Sequence, residues 1–158
     1  MLFRFGTITL FYSSLLAYLG VAMLWKPAFV IDSGLSALIG AAMDLKPLVS
    51  NENNQPALAF MGILFLVLSL MHTVAYLQHN VLYFSAMIPF RAIFDFIFTA
   101  FVYIKKEHVL SNNVTFTFAF CDLMWQFWLY ASLNEDKAKF AKQMRKEAEA
   151  EKNKQMTE

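Results

Sequence analysis

The chain alternates between long apolar runs and short polar breaks. Residues 5–25, 57–77, 81–104 and 114–133 are almost wholly apolar or aromatic. A helix needs about 20 such residues to cross the roughly 30 Å hydrocarbon core of a bilayer. Lys26-Pro27, the polar stretch 50–56, Gln78-His79-Asn80 and the run from Lys105 to Asn113 separate them. The pattern predicts an all-α polytopic membrane protein with four transmembrane helices. The run 81–104 carries Pro89, Arg91 and Asp95, and we expect the other spans to assemble against it. A cleavable signal peptide is the competing reading of 5–25. The run is longer than a usual signal core and has no clear small-x-small site after it, so we read it as a first span.

Between the first two long runs, Asp32 and Asp44 bracket GLSALIGAAM, which is too short to span. Asp32-Ser33 supplies a cap and Lys46-Pro47 a stop, which predicts a short interfacial or re-entrant helix. Only three residues, 78–80, separate the second and third runs, which implies an antiparallel hairpin. Beyond residue 133 the character changes. Residues 134–158 form a charged tail set apart from the 1–133 transmembrane domain. Pairs such as Glu135–Lys139 and Glu149–Lys152 predict a solvated helix there.

Composition agrees with this organisation. The chain of 158 residues is 58% apolar and only 16% charged, against about a quarter charged in soluble domains. Its net charge of +1 is no footprint for nucleic acid. The single cysteine, Cys121, reads as a small apolar side chain in a helix. Arg4 and the tail's seven basic residues (Lys137, Lys139, Lys142, Arg145, Lys146, Lys152 and Lys154) outnumber Lys26, Lys46, Lys105 and Lys106 on the other side, which favours cytoplasmic termini by the positive-inside rule. Those tail cations are expected to adhere to the anionic cytoplasmic leaflet. Asn113-Val114-Thr115 matches a glycosylation acceptor, but so close to the membrane that we expect it unmodified.

The polar residues inside the spans are the candidate site. A charge near the bilayer centre costs about 2.5–3.5 kcal/mol on insertion scales. Arg91 and Asp95 are four apart, so they share a helix face and can pair. In the fourth run Asp122 and Gln126 are also one turn apart. Counted from the intervening loop, Asp95 should face Asp122 and Arg91 should face Gln126, with Arg91 able to bridge both acids. His72 sits near the end of the second run and reads as an interfacial histidine bonded to a neighbour. Three uses compete for the cluster: a polar clamp on helix register, a docking contact for another membrane subunit or a lipid head group, and catalysis or ion conduction. We find no nucleophile motif, no metal-ligand spacing and no continuous polar stripe. The expectation is therefore a protein without catalysis or cofactor. A membrane-embedded lipid or sterol enzyme with Asp95 or Asp122 as proton donor is the alternative.

The blocks VLYFSAMIPFRAIFDFIF and SNNVTFTFAFCDLMWQFWLYASLNEDK resemble the fungal increased-loss-of-mitochondrial-DNA protein family. The matching features are Tyr83-Phe84, Pro89 and Arg91, then Asn112-Asn113, Cys121, Trp125, Leu129-Tyr130 and the mixed-charge stretch after Asn134. The likeness covers about residues 57–140. It implies a small multi-pass protein of the endoplasmic reticulum membrane, a link to mitochondrial genome maintenance, and no assigned reaction. Together these readings predict an accessory or scaffold subunit in the lipid bilayer, docked to a larger membrane-protein partner such as lipid-handling machinery.

Overall fold

The computed structural model describes the backbone of residues 5–155 and the side chains of residues 5–146. Arg4 and the Glu149–Lys152 pair lie outside the described side chains. The described chain is helical: α1 (Phe5–Trp25), α2 (Pro27–Ile31), α3 (Gly34–Ala42), α4 (Gln55–Leu77), α5 (Val81–Ile104) and α6 (Asn113–Gln155). The ends follow local chemistry. Ser33 caps α3 by accepting from the Ser36 amide, and Asn80 caps α5 by accepting from the Tyr83 amide. Asp44 (φ 52°) and His79 (φ 50°) adopt the left-handed conformation just past α3 and α4, the usual way to turn a chain off a helix end. α5 runs through Pro89 without a break.

Three helices, α1, α4 and α5, are long and apolar enough to cross a membrane, not the four expected. The fourth run is the first part of α6, where Asp122, Gln126 and the tryptophans lower the hydropathy. The charged tail is not a separate helix either. α6 continues unbroken across residues 133 and 134 for 43 residues in all.

Two further expectations need correction. α4 and α5, although joined by residues 78–80, are not a packed pair; α1 packs along α4 and α5 packs along α6. Nor is α5 the centre. Only 22% of its most apolar stretch is buried, against 39% for α1. The hub is the first half of α6, which touches α1, α3 and α5, and meets α4 through the Phe65–Phe118 ring pair at 4.6 Å. A helix carrying an acid and an amide in an apolar run shelters them best by turning them toward other helices.

The α1–α4 pair is set by backbone contact. A Cβ on Gly20 would sit 2.8 Å from the Gly62 carbonyl oxygen, and a Cβ on Gly62 would sit 2.8 Å from that of Gly20. Such small pairs let apolar helices approach closely. At the other corner α3 lies on the start of α6, with Gly40 against the Asn113 side chain. The Asn113 amide donates to the Lys46 carbonyl, and its Oδ1 accepts from the Leu48 amide at 2.8 Å. Asn113 is 6% exposed, so the acceptor asparagine is a packed junction.

Candidate functional site

Asp122 on α6 is the hub of the polar cluster. Its Oδ2 accepts from Arg91 Nε at 2.9 Å and from Arg91 Nη2 at 2.6 Å. Its Oδ1 accepts from the Tyr12 hydroxyl at 2.5 Å and from Gln126 Nε2 at 3.3 Å. One carboxylate thus takes four donors from three helices. The Arg91 guanidinium also lies over the Tyr12 ring, 5.6 Å from its centroid. Charge-assisted bonds of this kind are about twice as strong as neutral ones, and the low dielectric around them makes loss of any one costly.

The cluster is buried except at Arg91, whose side chain is half-buried. Tyr12 is 1% exposed, Asp122 4% and Gln126 0%. Asp95, also buried, stands one turn along α5 with its Oδ2 3.9 Å from Arg91 Nε, an ion pair too long for a hydrogen bond. Arg91 therefore does lie between both acids, but its hydrogen bonds go to Asp122. The expected register is one turn off. Arg91 meets Asp122, and its hydrogen bonds do not go to Gln126. The long arginine side chain reaches along its helix, so counting Cα depth misplaces its charged end.

His72 does bond a neighbour, as expected, but inside the bundle and without a hydrogen bond to the ions. It is buried, its Nδ1 is 2.9 Å from the Leu68 carbonyl, and its ring packs edge-on against Tyr12 at 5.5 Å. Tyr83 and Phe84 of α5 flank it, so it fills the space where α1, α4 and α5 meet.

Two sets of partners lie outside the sequence-level candidates. One is Tyr12, the only α1 residue in the cluster. A polar-tipped aromatic in mid-span, which must find an acceptor when buried, was the available signal. The other is a hydroxyl clasp between α1 and α4. Ser13 Oγ donates to the Ser69 carbonyl at 2.8 Å, Ser69 Oγ donates back to the Ser13 carbonyl at 2.7 Å, and Thr73 Oγ1 is 2.6 Å from Ser13 Oγ.

The tail residues divide. Lys137 Nζ donates to Ser85 Oγ on α5 at 2.5 Å, and Asp136 Oδ2 accepts from the Phe5 amide at 3.2 Å, so the first turn past 133 still ties the bundle. Lys139 pairs with Glu135 at 3.0 Å and, by that hydrogen bond, holds the Glu135 carboxyl below its usual range. Lys142, Arg145 and Lys146 are exposed. Among the described residues no three His, Cys, Asp or Glu side chains converge as a metal site.

Comparison with known proteins places this architecture. The family model described as "Increased loss of mitochondrial DNA protein 1" matches residues 6–111 and 105–143, which includes the first span as well as the blocks that carry the resemblance. Protein ilm1 of Schizosaccharomyces pombe is 53% identical over 149 residues, covering 94% of this chain and 92% of that protein. Protein ILM1 of Saccharomyces cerevisiae is 25% identical over 134 residues, covering 79% of this chain and 66% of that one. No solved structure matches. On the extent of these matches, the chain belongs to the increased loss of mitochondrial DNA protein 1 family.

Proposed function

We propose that the chain is a non-catalytic accessory or scaffold subunit of the endoplasmic reticulum membrane, with both termini cytoplasmic. In this reading α1, α4 and α5 cross the bilayer, and the first half of α6, sheltered among them, returns the chain across it. The family's link by name to mitochondrial DNA loss would follow from what the subunit holds together, such as lipid-handling machinery.

The observation that carries the reading is the closed coordination of Asp122. Its four donors come from Tyr12, Arg91 and Gln126, and the carboxylate itself is buried. A general acid needs hydrogen-bond reach to a substrate atom, and this carboxylate spends its oxygens on its own helices. The geometry is that of a fastening. The surface that supports docking is the outer side of α5, where Phe90, Ile93, Phe94 and Ile97 are all more than half exposed.

Purification of the tagged chain in mild detergent tests the reading. A stoichiometric membrane-protein companion is expected. It should be lost from Phe90→Ala/Phe94→Ala, whose bundle stays folded, and Asp122→Asn should lower the amount of protein. Loss of function in Asp122→Asn at unchanged protein level and complex size would favour the enzyme reading instead.

A further inference from the structure

α3 is built inside out for a helix in water. Its sequence is GLSALIGAA, and its one polar side chain, Ser36, points inward. Ser36 is 3% exposed and donates to the Ile31 carbonyl at 2.7 Å. The outward side carries Leu35 (55% exposed) and Leu38 (69% exposed), with Ala41 and Ala42 beside them. A helix on a soluble protein shows the opposite arrangement, polar outward and apolar inward. Trp25 and Phe29, at the end of α1 and in α2, are also largely exposed, at 80% and 64%.

The level of α3 relative to the long helices is fixed by its contacts. Gly40 rests on Asn113, the first residue of α6, and Ile39 and Met43 pack near Val102 at the end of α5. α1 ends at Trp25 and is followed by Lys26, while α5 ends at Ile104 and is followed by Lys105. A tryptophan and lysines at helix ends mark the boundary between hydrocarbon and water. α3 therefore lies at that boundary. Asp32 precedes it and is exposed, and Asp44 follows it with its carboxylate 3.0 Å from Lys106 Nζ at the surface. The helix is about 14 Å long at 1.5 Å per residue, less than half of what crossing the bilayer takes.

We propose that α2 and α3 form an interfacial anchor, with Phe29, Leu35 and Leu38 set into the lipid leaflet on the side of the 105–112 loop and the charged ends at the water. The proposal rests on the membrane reading given above. It resolves the interfacial and re-entrant alternatives in favour of the interfacial one. The occupant of the exposed face is membrane lipid, because that face continues the lipid-facing surface of the long helices at their boundary level. A docked protein is the competing occupant.

The test uses the full chain in phosphatidylcholine vesicles. Leu38→Cys in a Cys121→Ala background carries an environment-sensitive fluorophore such as NBD. Emission should be blue-shifted, strongly quenched by lipids bearing a nitroxide near the ester groups, weakly quenched by lipids bearing one near the chain ends, and insensitive to iodide. Leu35→Cys should repeat the pattern. Lys142→Cys on the tail is the aqueous control and Phe94→Cys on α5 the deep one. Strong quenching from the chain ends would make α3 re-entrant and overturn the proposal. Iodide quenching without a response to nitroxide lipid would place Leu38 in water, as a protein-docking face would be, and would overturn it as well. Resistance of the whole chain to alkaline carbonate extraction checks the membrane reading separately, so failure of one is distinguishable from failure of the other.

Discussion

Asp122 concentrates the energetics of the cluster. Arg91 is its main donor, so Arg91→Met leaves a buried carboxylate without its cation, a change that costs about 3–5 kcal/mol where it has been measured. Tyr12→Phe removes one bond to a charged acceptor, worth about 1.5–3 kcal/mol. Both should lower the unfolding temperature in detergent, Arg91→Met by more. A double-mutant cycle separates the pair from its surroundings. Arg91→Met with Asp122→Asn should couple by about 0.5–3 kcal/mol, whereas Arg91→Met with Gln126→Leu, whose side chains share no hydrogen bond, should couple less. Equal coupling in both cycles would contradict the observed register. Much of this cluster was legible, since an arginine and two acids in oily runs must find one another. The exact partnership was not, because a guanidinium reaches nearly a helical turn along its axis. Tyr12 escaped notice because a tyrosine in an apolar run looks like filler until an acceptor is seen beside it.

Helices pair here by close approach as much as by polarity. Gly62→Leu drives a side chain into the Gly20 carbonyl and the Met23 Cβ, and backbone cannot yield as a flexible side chain does. It should separate α1 from α4, undo the Ser13–Ser69 clasp and reduce protein level more than Ala57→Leu, which lies on an exposed position near the start of α4. Quantitative blotting of the two variants decides it. The limits of α1, α4 and α5 were readable because Lys26-Pro27, the 78–80 turn and Lys105 interrupt long apolar runs. Which helix is central was not read correctly. Pro89, Arg91 and Asp95 made α5 look like the axis, but α6, less apolar because of Asp122 and Gln126, is the one that meets α1, α3 and α5 and buries its polar side chains among them. The better signal was low hydropathy itself, since the segment least suited to lipid belongs inside.

For the molecule as a whole, the continuity of α6 sets the shape. Forty-three residues at 1.5 Å each make a rod of about 64 Å, roughly twice the hydrocarbon thickness. Spin labels at Phe120→Cys and Met144→Cys should therefore report a single distance near about 36 Å. A shorter or bimodal distribution would mean a bend past residue 133 that lays Lys142, Arg145 and Lys146 on the leaflet. The absence of any breaker between Leu133 and Lys137 was visible in the sequence; the abrupt change of composition drew a boundary where the backbone has none. The bond from Tyr12 to Asp122 closes a loop of 110 residues. During synthesis Tyr12 and Arg91 both leave the ribosome well before Asp122, their shared acceptor, has been added. The lock shuts only once the first half of α6 has been made, so a product terminated before Asp122 would present a lone cation to quality-control machinery.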